Sequence, residues 1–410
     1  MKIRKISMYF LVMLCALMLF AVMSYGRDGV RVSKKQLSVE PSKHPICNMM
    51  KGEKWKMLSG SAHFARSLIC GNRVALESKL RKPIPGNPAI IPGLIVNDPQ
   101  MDDIADQTTQ SQPTIVKDPT HGTMVIMYND SGDFDYGETS SIYGYSISTD
   151  NGATWTDMGP VPAPQGNWNL GGGGLAYHEA SGKIYFVSML CSSVSCAYEK
   201  LLVGQSTDGG FTWSQLSNIA PLGEWDKPFI WVDNTGGACD GYVYVVATDF
   251  ISAPAIKFIR STDGGQTWDN PVVINAGHEN CDTGAFPRVA SDGTIYVAWE
   301  DFGCIQPGDM TGIEMVKSTD CGATWSNINV VSTITQIQDP EATFECGIPA
   351  LKGKIRVNDY PFLGINPADS SQLYVVFNSD PDGDINVGDH SDVFFTKSTD
   401  GGSTWSAPLR

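Results

Sequence analysis

The chain has 410 residues, of which 18 % are charged, with 42 glycines, 24 prolines and a formal net charge of −15. That length can bury one large core or two ordinary ones, and a turn-rich, charge-poor composition suits an all-β protein rather than a helical one. So acidic a chain repels phosphate backbones and other polyanions, which excludes nucleic acid as a partner and favours bound cations.

In chain order, Lys2, Arg4 and Lys5 precede an apolar run from Met8 to Met23, and Ser24-Tyr25-Gly26 offers a cleavage site. Residues 1–26 therefore read as a signal peptide, and the product as secreted, periplasmic or held at the cell surface. An uncleaved anchor is the alternative, although the run is short of the roughly 20 residues a membrane span needs. No later stretch is long and apolar enough, so no span is expected after signal removal. Nine of the ten cysteines follow the signal. An exported chain of this kind is expected to form disulfides, and an odd count leaves at least one thiol outside intrachain pairing.

Residues 27–104 form a basic N-terminal segment that contains the Pro-rich linker RKPIPGNPAIIPG (81–93). Residues 27–100 carry 13 basic and 5 acidic side chains, net +8, whereas residues 101–410 carry 13 and 39, net −26. The segment reads as a pre-domain or a lid.

From residue 105 the chain repeats itself. An octapeptide occurs five times: STDNGATW (148–155), STDGGFTW (206–213), STDGGQTW (261–268), STDCGATW (318–325) and STDGGSTW (398–405). Apolar, β-branched runs lie upstream of each copy, such as MVIMY (124–128), KIYFVSM (183–189), YVYVVAT (242–248), TIYVAWE (294–300) and QLYVVFN (372–378). Pro-led runs, QPTIVKD, KPFIWVD, FPRVASD and YPFLGIN, precede most of these. One unit thus reads strand, turn, strand, loop, strand, octapeptide turn, strand, which describes the blade of a β-propeller. Within the octapeptide the aspartate accepts turn amides, the constant glycine at position five supplies a positive φ, and the tryptophan packs beneath the turn.

S-x-D-x-G-x-T-W is the Asp box, and residues 105–410 resemble the sialidase superfamily and the wider group of exported Asp-box propellers. The resemblance implies a six-bladed ring whose Asp boxes join the third and fourth strands, away from the catalytic centre. Asp150, Asp208, Asp263, Asp320 and Asp400 are then structural. Only five boxes are visible. A sixth blade lies beyond this sequence, or PAIIPGLIVND (88–98) helps to close the ring, or the ring has five blades.

If the octapeptides share one face, function belongs to the other, where the inner strands begin. Asp226, Lys227, Arg288, Asp359 and Tyr360 are placed there, with Glu300, Asp301, Arg356 and the GHENCD loop (277–282) nearby. The resemblance implies a three-arginine clamp on a substrate carboxylate, a tyrosine nucleophile activated by a glutamate, and an aspartate acid/base. Arg288 and Arg356 are the candidates for the clamp, Tyr360 for the nucleophile, Glu300 or Glu345 for its base, and Asp226 completes the set. Arg260 directly precedes an octapeptide and belongs to the wrong face. Trp168, Trp225 and Tyr360 are candidates for stacking on sugars.

No cofactor is required, and structural calcium is the one cation considered. The loop DPDGDINVGDH spaces Asp380, Asp382, Asp384, Asn386 and Asp389 as oxygen ligands, with a solvated acidic turn as the alternative. Asp130, Asp133, Asp135 and Glu138 occupy the equivalent loop of the first unit. Facing arguments pair Cys239 with Cys321, Cys191 with Cys196, and Cys281 with Cys304. The GGGG run (171–174) lacks the Lys-Ser/Thr of a phosphate loop and lets backbone lie close to the channel. Two functions stand: a glycan-acting or glycan-binding propeller, and a non-catalytic platform for adhesion or protein partners.

Overall fold

The computed structural model describes residues 110–130, 140–193, 199–251, 254–279, 282–302, 311–337, 350–351, 355–383, 388 and 390–410. The expected signal peptide and the segment 27–104 lie outside them. The described residues are all-β. Blade one holds β1 (Gln110–Asp118), β2 (Thr123–Asp130), β3 (Tyr143–Ser148) and β4 (Thr156–Pro160). Blade two holds β5 (Asn167–His178), β6 (Lys183–Ser192), β7 (Glu199–Ser206) and β8 (Ser214–Asn218). Blade three holds β9 (Trp225–Val232), β10 (Val243–Asp249), β11 (Ala255–Ser261) and β12 (Val272–Val273). Blade four holds β13 (Asp282–Val289), β14 (Ile295–Asp301), β15 (Gly312–Ser318) and β16 (Asn329–Thr333). After the short pair β17 (Ala350–Leu351) and β18 (Ile355–Arg356), blade five holds β19 (Phe362–Asn366), β20 (Asp369–Ser379) and β21 (Asp392–Ser398). Leu409 exchanges both backbone hydrogen bonds with Phe395 and so supplies a fourth, one-bridge strand to blade five.

Each sheet is an antiparallel meander, and the first strands β1, β5, β9, β13 and β19 contact one another in succession. The architecture is that of propeller blades set around their inner strands. Side chains alternate across a strand, so a blade's two faces serve two interfaces. On β6, Ile184 and Phe186 pack with Val125 and Met127 of blade one, while Tyr185, Val187 and Met189 pack with Val243 and Val245 of blade three. Similar clusters join blade three to four through Phe258, Val297 and Trp299, and blade four to five through Met315, Leu363 and Leu373. Burial on both faces explains why middle strands read as unbroken apolar runs.

The octapeptides form the β3–β4 corner and its equivalents. In each, the serine hydroxyl donates to the aspartate Oδ1 at 2.7–2.8 Å, and the threonine hydroxyl donates to its Oδ2 at 2.6 Å. Position five has φ between 81° and 94°, and at three of the five corners a Cβ would meet a second obstacle. At Gly210 it would lie 2.5 Å from Val125, at Gly322 2.5 Å from Phe258, and at Gly402 2.3 Å from Met315, each in the preceding blade. Glycine is required both by conformation and by this close approach. Trp213 stands edge-on to Phe186 at 5.1 Å and to Tyr145 of blade one at 5.9 Å, so a corner also rivets neighbouring blades. Cys239 and Cys321 are disulfide-bonded with Cα atoms 6.2 Å apart, joining blade three to the corner of blade four. Cys191 is disulfide-bonded; Cys196, Cys281 and Cys304 lie outside the described residues.

The hydrogen bonds from Thr154, Thr324 and Thr404, followed by those of the neighbouring amides and serines, hold Asp150, Asp320 and Asp400 at about 2. Asp263 reaches about 2 although desolvation, its largest influence, pushes it up, and Asp208 is lowered against the same opposition. These are carboxylates depressed in the folded state. Their contribution is present above the unfolded value, about 4, and is lost as the pH falls towards about 2. The melting temperature should therefore fall steeply over that window, and Asp320→Asn should make the fall shallower by about one proton. A profile unchanged by the substitution would show that the corner does not carry this linkage.

Candidate functional site

The rim opposite the corners is shaped by a bulge near the start of the inner strands. Two residues face one between Ser111 and Thr114, between Asp226 and Phe229, and between Thr283 and Phe286, with a matching shift between Gly171 and Gly174. In each a residue takes positive φ: Gln112 at 55°, Gly172 at 71°, Lys227 at 49° and Gly284 at 71°. Bulges of this kind re-aim side chains, and a left-handed lysine before a proline is strained by about 1–3 kcal/mol.

Gly284 is the seat of the site. A Cβ at this position would lie 2.2 Å from Cδ1 of Tyr360, so the half-buried Tyr360 ring of blade five lies directly on blade four's bulge. Lys227 of blade three places its ammonium 5.1 Å from the centre of that ring. Three blades thus converge on one aromatic ring. Blades one and two show a polar counterpart, in which Asn129 donates to Gln112 Oε1 at 2.8 Å and accepts the Gly172 N–H at 2.8 Å. The GGGG run does bring backbone close: a Cβ at Gly173 would lie 1.6 Å from the Val187 carbonyl oxygen. Below the mouth, Phe229, Phe286 and Phe362 stand edge-on in series, with centroids 5.0 and 5.1 Å apart.

The candidate carboxylates lie behind this surface. Asp226 is fully buried, and its Oδ1 accepts the Lys227 N–H at 2.8 Å, which holds the strained residue. Glu300 is fully buried, and its Oε2 accepts the Asp359 N–H at 3.2 Å. Burial, then Asp359, drives Glu300 well above the ordinary carboxylate range. Burial also pushes Asp359 up to about 8, against the hydrogen bond from the Ile337 N–H. Two carboxyls this close and dry do not both ionise at neutral pH. They brace the backbone that leads into Tyr360 rather than reach the rim.

Arg288 is not where the sequence places it. The inner strand starts at Asp282, ahead of the Pro-led run, so Arg288 is the next-to-last residue of β13, opposite Tyr296 and toward the corner end. Its guanidinium is stacked between Trp231, at 3.9 Å, and Phe286, at 4.0 Å, and burial lowers it to about 10. Arg356 pairs with Ala350 in the small β17–β18 sheet, and its side chain lies outside the description. Arg260 donates to Asp269 and to the Cys321 carbonyl at the corner face, as expected. Arg410 pairs with Asp392. Trp225 is also misplaced as a stacking residue: it is 1 % exposed, and its indole donates to the Pro221 carbonyl. Trp168 is half-buried against the core between blades two and three.

Of the expected calcium ligands, Asp380 is buried and its Oδ1 caps the amides of Asp382 and Gly383 at 2.9 and 3.1 Å, which is the work of a turn aspartate. Asp382 packs against the Gly388 backbone. Asp384, Asn386 and Asp389 lie outside the described residues, as do Asp133, Asp135, Glu138 and Glu345. A different acidic group is formed by Asp301 and Asp282 of the 277–282 loop, both expected near this rim, together with Glu314, which the sequence does not single out; their oxygens lie within 4.8 Å of one another. Burial, opposed by the Asn275 amide and reinforced by Asp301 and Glu314, lifts Asp282 to about 9. Among the described residues no helix is long and apolar enough to cross a membrane.

No family model matches the chain, and no curated relative matches it in sequence. Its fold is similar to a Hadza microbial sialidase, at 18 % identity over 73 % of this chain and 58 % of that one, with a TM-score of 0.46. The intramolecular trans-sialidase from Ruminococcus gnavus gives 13 % identity, 70 % and 83 % coverage and a TM-score of 0.41. A polysaccharide lyase of the ulvan lyase type gives 13 % identity, 73 % and 69 % coverage and a TM-score of 0.43. The chain spans 58 % of the length of the Hadza sialidase. The blade architecture stands on this chain's own sheets and registers.

Proposed function

We propose that this chain is an exported glycan-recognising propeller whose working surface is the rim opposite the corners, centred on Tyr360 and Lys227. The observation that carries the reading is the convergence of three blades on one half-buried ring: Tyr360 seated on Gly284, with the Lys227 ammonium above it. An aromatic face suits the apolar face of a sugar ring, and the buried Lys227 ammonium steadies that ring through a cation–π contact. Export rests on the basic and then apolar opening of the sequence.

Cleavage in the sialidase manner would use the Tyr360 hydroxyl as nucleophile, with the buried Glu300–Asp359 pair as its support. The position of Arg288 favours recognition over cleavage, because a stacked, buried guanidinium at the corner end cannot grip a carboxylate at the mouth. The same observation favours the second reading, a non-catalytic platform for protein partners.

A glycan array and a fluorogenic glycoside panel that includes sialosides separate these readings. Glycan binding should weaken about tenfold in both Tyr360→Ala and Lys227→Ala, the loss of one stacked or charged contact. Release that disappears in Tyr360→Phe would add hydrolysis. Absence of both binding and release would overturn glycan recognition and leave the platform.

A further inference from the structure

We propose that Asp282, Asp301 and Glu314 form a binding site for a hard divalent cation of calcium's size, which fastens the loop between blades three and four to the rim. This site is separate from Tyr360 and from the acidic loop at 380–390. Register places its members together. Asp282 pairs with Asp301 across β13 and β14, and Trp299 pairs with Glu314 across β14 and β15. Side chains two apart share a face, so Asp301 lies beside Trp299, and all four residues line the face of blade four that packs on blade three.

The three carboxylates present oxygens within 4.8 Å of one another. Two oxygens bound to one calcium ion at 2.3–2.6 Å lie at most about 5.2 Å apart, so each pair of these oxygens is close enough to share an ion. A second observation points to a ligand. Asp282 is fully buried and Glu314 is 5 % exposed, yet Asp282 Oδ1 and Glu314 Oε2 have no hydrogen-bond partner. Buried carboxylate oxygens are normally satisfied, and each remaining oxygen is already engaged: Asp282 Oδ2 accepts Asn275 at 2.6 Å, and Glu314 Oε1 faces His278 at 3.5 Å. The Trp299 indole N–H stands near enough to both carboxylates to favour their charged forms without a hydrogen bond to either. The unsatisfied lone pairs therefore belong to one acidic group, and oxygen-only ligation selects a hard cation. Asp301 is only partly buried and leaves a route for entry.

An ion here would join the inner strand start, the end of β14 and β15. Through Asn275, whose Oδ1 accepts the Ile256 N–H at 3.0 Å, it would also hold blade three. Thr248 and Thr283 already bridge the two blades alongside it at 3.2 Å.

The test uses the full chain after chelator treatment, titrated with calcium chloride and followed by melting temperature and calorimetry. Wild type should bind one ion at this site and melt higher as calcium is added. Asp282→Asn and Glu314→Gln should each weaken the response at least tenfold, while Asp382→Asn, in the other acidic loop, should retain it. Terbium bound at the site should emit when tryptophan is excited, and Trp299→Phe should remove that emission while calcium stabilisation persists. This readout stands even where an acidic-site variant fails to fold. No response in wild type up to about 10 mM calcium, tenfold above the weakest extracellular calcium modules, would overturn the proposal. So would a response lost on Asp382→Asn but kept in Asp282→Asn, a response to magnesium alone, or terbium emission indifferent to Trp299→Phe.

Discussion

Cys239→Ser is expected to cost up to about 4.5 kcal/mol of stability under non-reducing conditions, the chain-entropy value for a loop of this length. Cys239 and Cys321 are 82 residues apart in sequence, so the bond removes much freedom from the unfolded chain. It also links a turn of blade three to the corner of blade four, where Arg260 already donates to the Cys321 carbonyl at 2.9 Å. Cys321 carries a cost of its own. It occupies position four of the octapeptide at a φ of 59°, where the other corners have glycine, or Asn151 at 57°. A side chain with no special tolerance for the left-handed region is strained there by roughly 1 kcal/mol. Cys321→Asn therefore loses the same cross-link but relieves part of that strain, and should be less destabilising than Cys239→Ser by several tenths to about 1 kcal/mol. Denaturant unfolding of both variants, with and without reductant, measures this. Equal midpoints would show that position 321 stores no strain, and a wild-type midpoint indifferent to reductant would show that the bond adds nothing.

The corners were legible because their physics is local. The hydrogen bonds that Asp263 accepts in STDGGQTW all come from within the octapeptide, so Asp263, Ser261 and Thr267 can be assigned from spacing alone. Repetition then supplied the blades, and the alternation of turns between two faces supplied the Cys239–Cys321 pair. The rim was less legible because it depends on register. The Pro-led runs read as strand starts, whereas β9 begins three residues before Pro228 and β13 begins five before Pro287. The intervening bulges have no fixed sequence: Gln112, Gly172, Lys227 and Gly284 share a conformation but not a residue type. That offset moved Arg288 from the mouth to the far end of its strand. Trp225 reads as a residue for stacking on sugars, although its indole is buried and donates to the Pro221 carbonyl. The acidic group shows the same limit. Asp282 and Asp301 are distant in sequence, and only their cross-strand pairing brings them together.

Gly284→Ala should disable the rim as thoroughly as removal of the tyrosine it supports. The new methyl carbon would sit 2.2 Å from Cδ1, 2.5 Å from Cγ and 2.6 Å from Cε1 of Tyr360, and no small adjustment relieves contacts along a whole ring edge. The ring must leave its seat, which breaks its contact with Lys227, and alanine must also adopt a φ of 71°. Displacement of a packed side chain costs about 1–3 kcal/mol, and the left-handed backbone adds about 1 kcal/mol. Gly122→Ala isolates the second contribution, since Gly122 has a φ of 70° and nothing within 4 Å of its would-be Cβ. The combination Gly284→Ala with Tyr360→Ala isolates the first. With the ring already gone, the methyl group meets no obstacle, so the double variant should be more stable than the sum of the single losses predicts, by an interaction term of about 1–2 kcal/mol. Glycan binding, if Tyr360 carries it, should fall as far in Gly284→Ala as in Tyr360→Ala, while the Gly122→Ala control binds normally. Strict additivity of the two substitutions, or binding retained in Gly284→Ala, would mean that Tyr360 does not depend on this seat, and the rim would lose its centre.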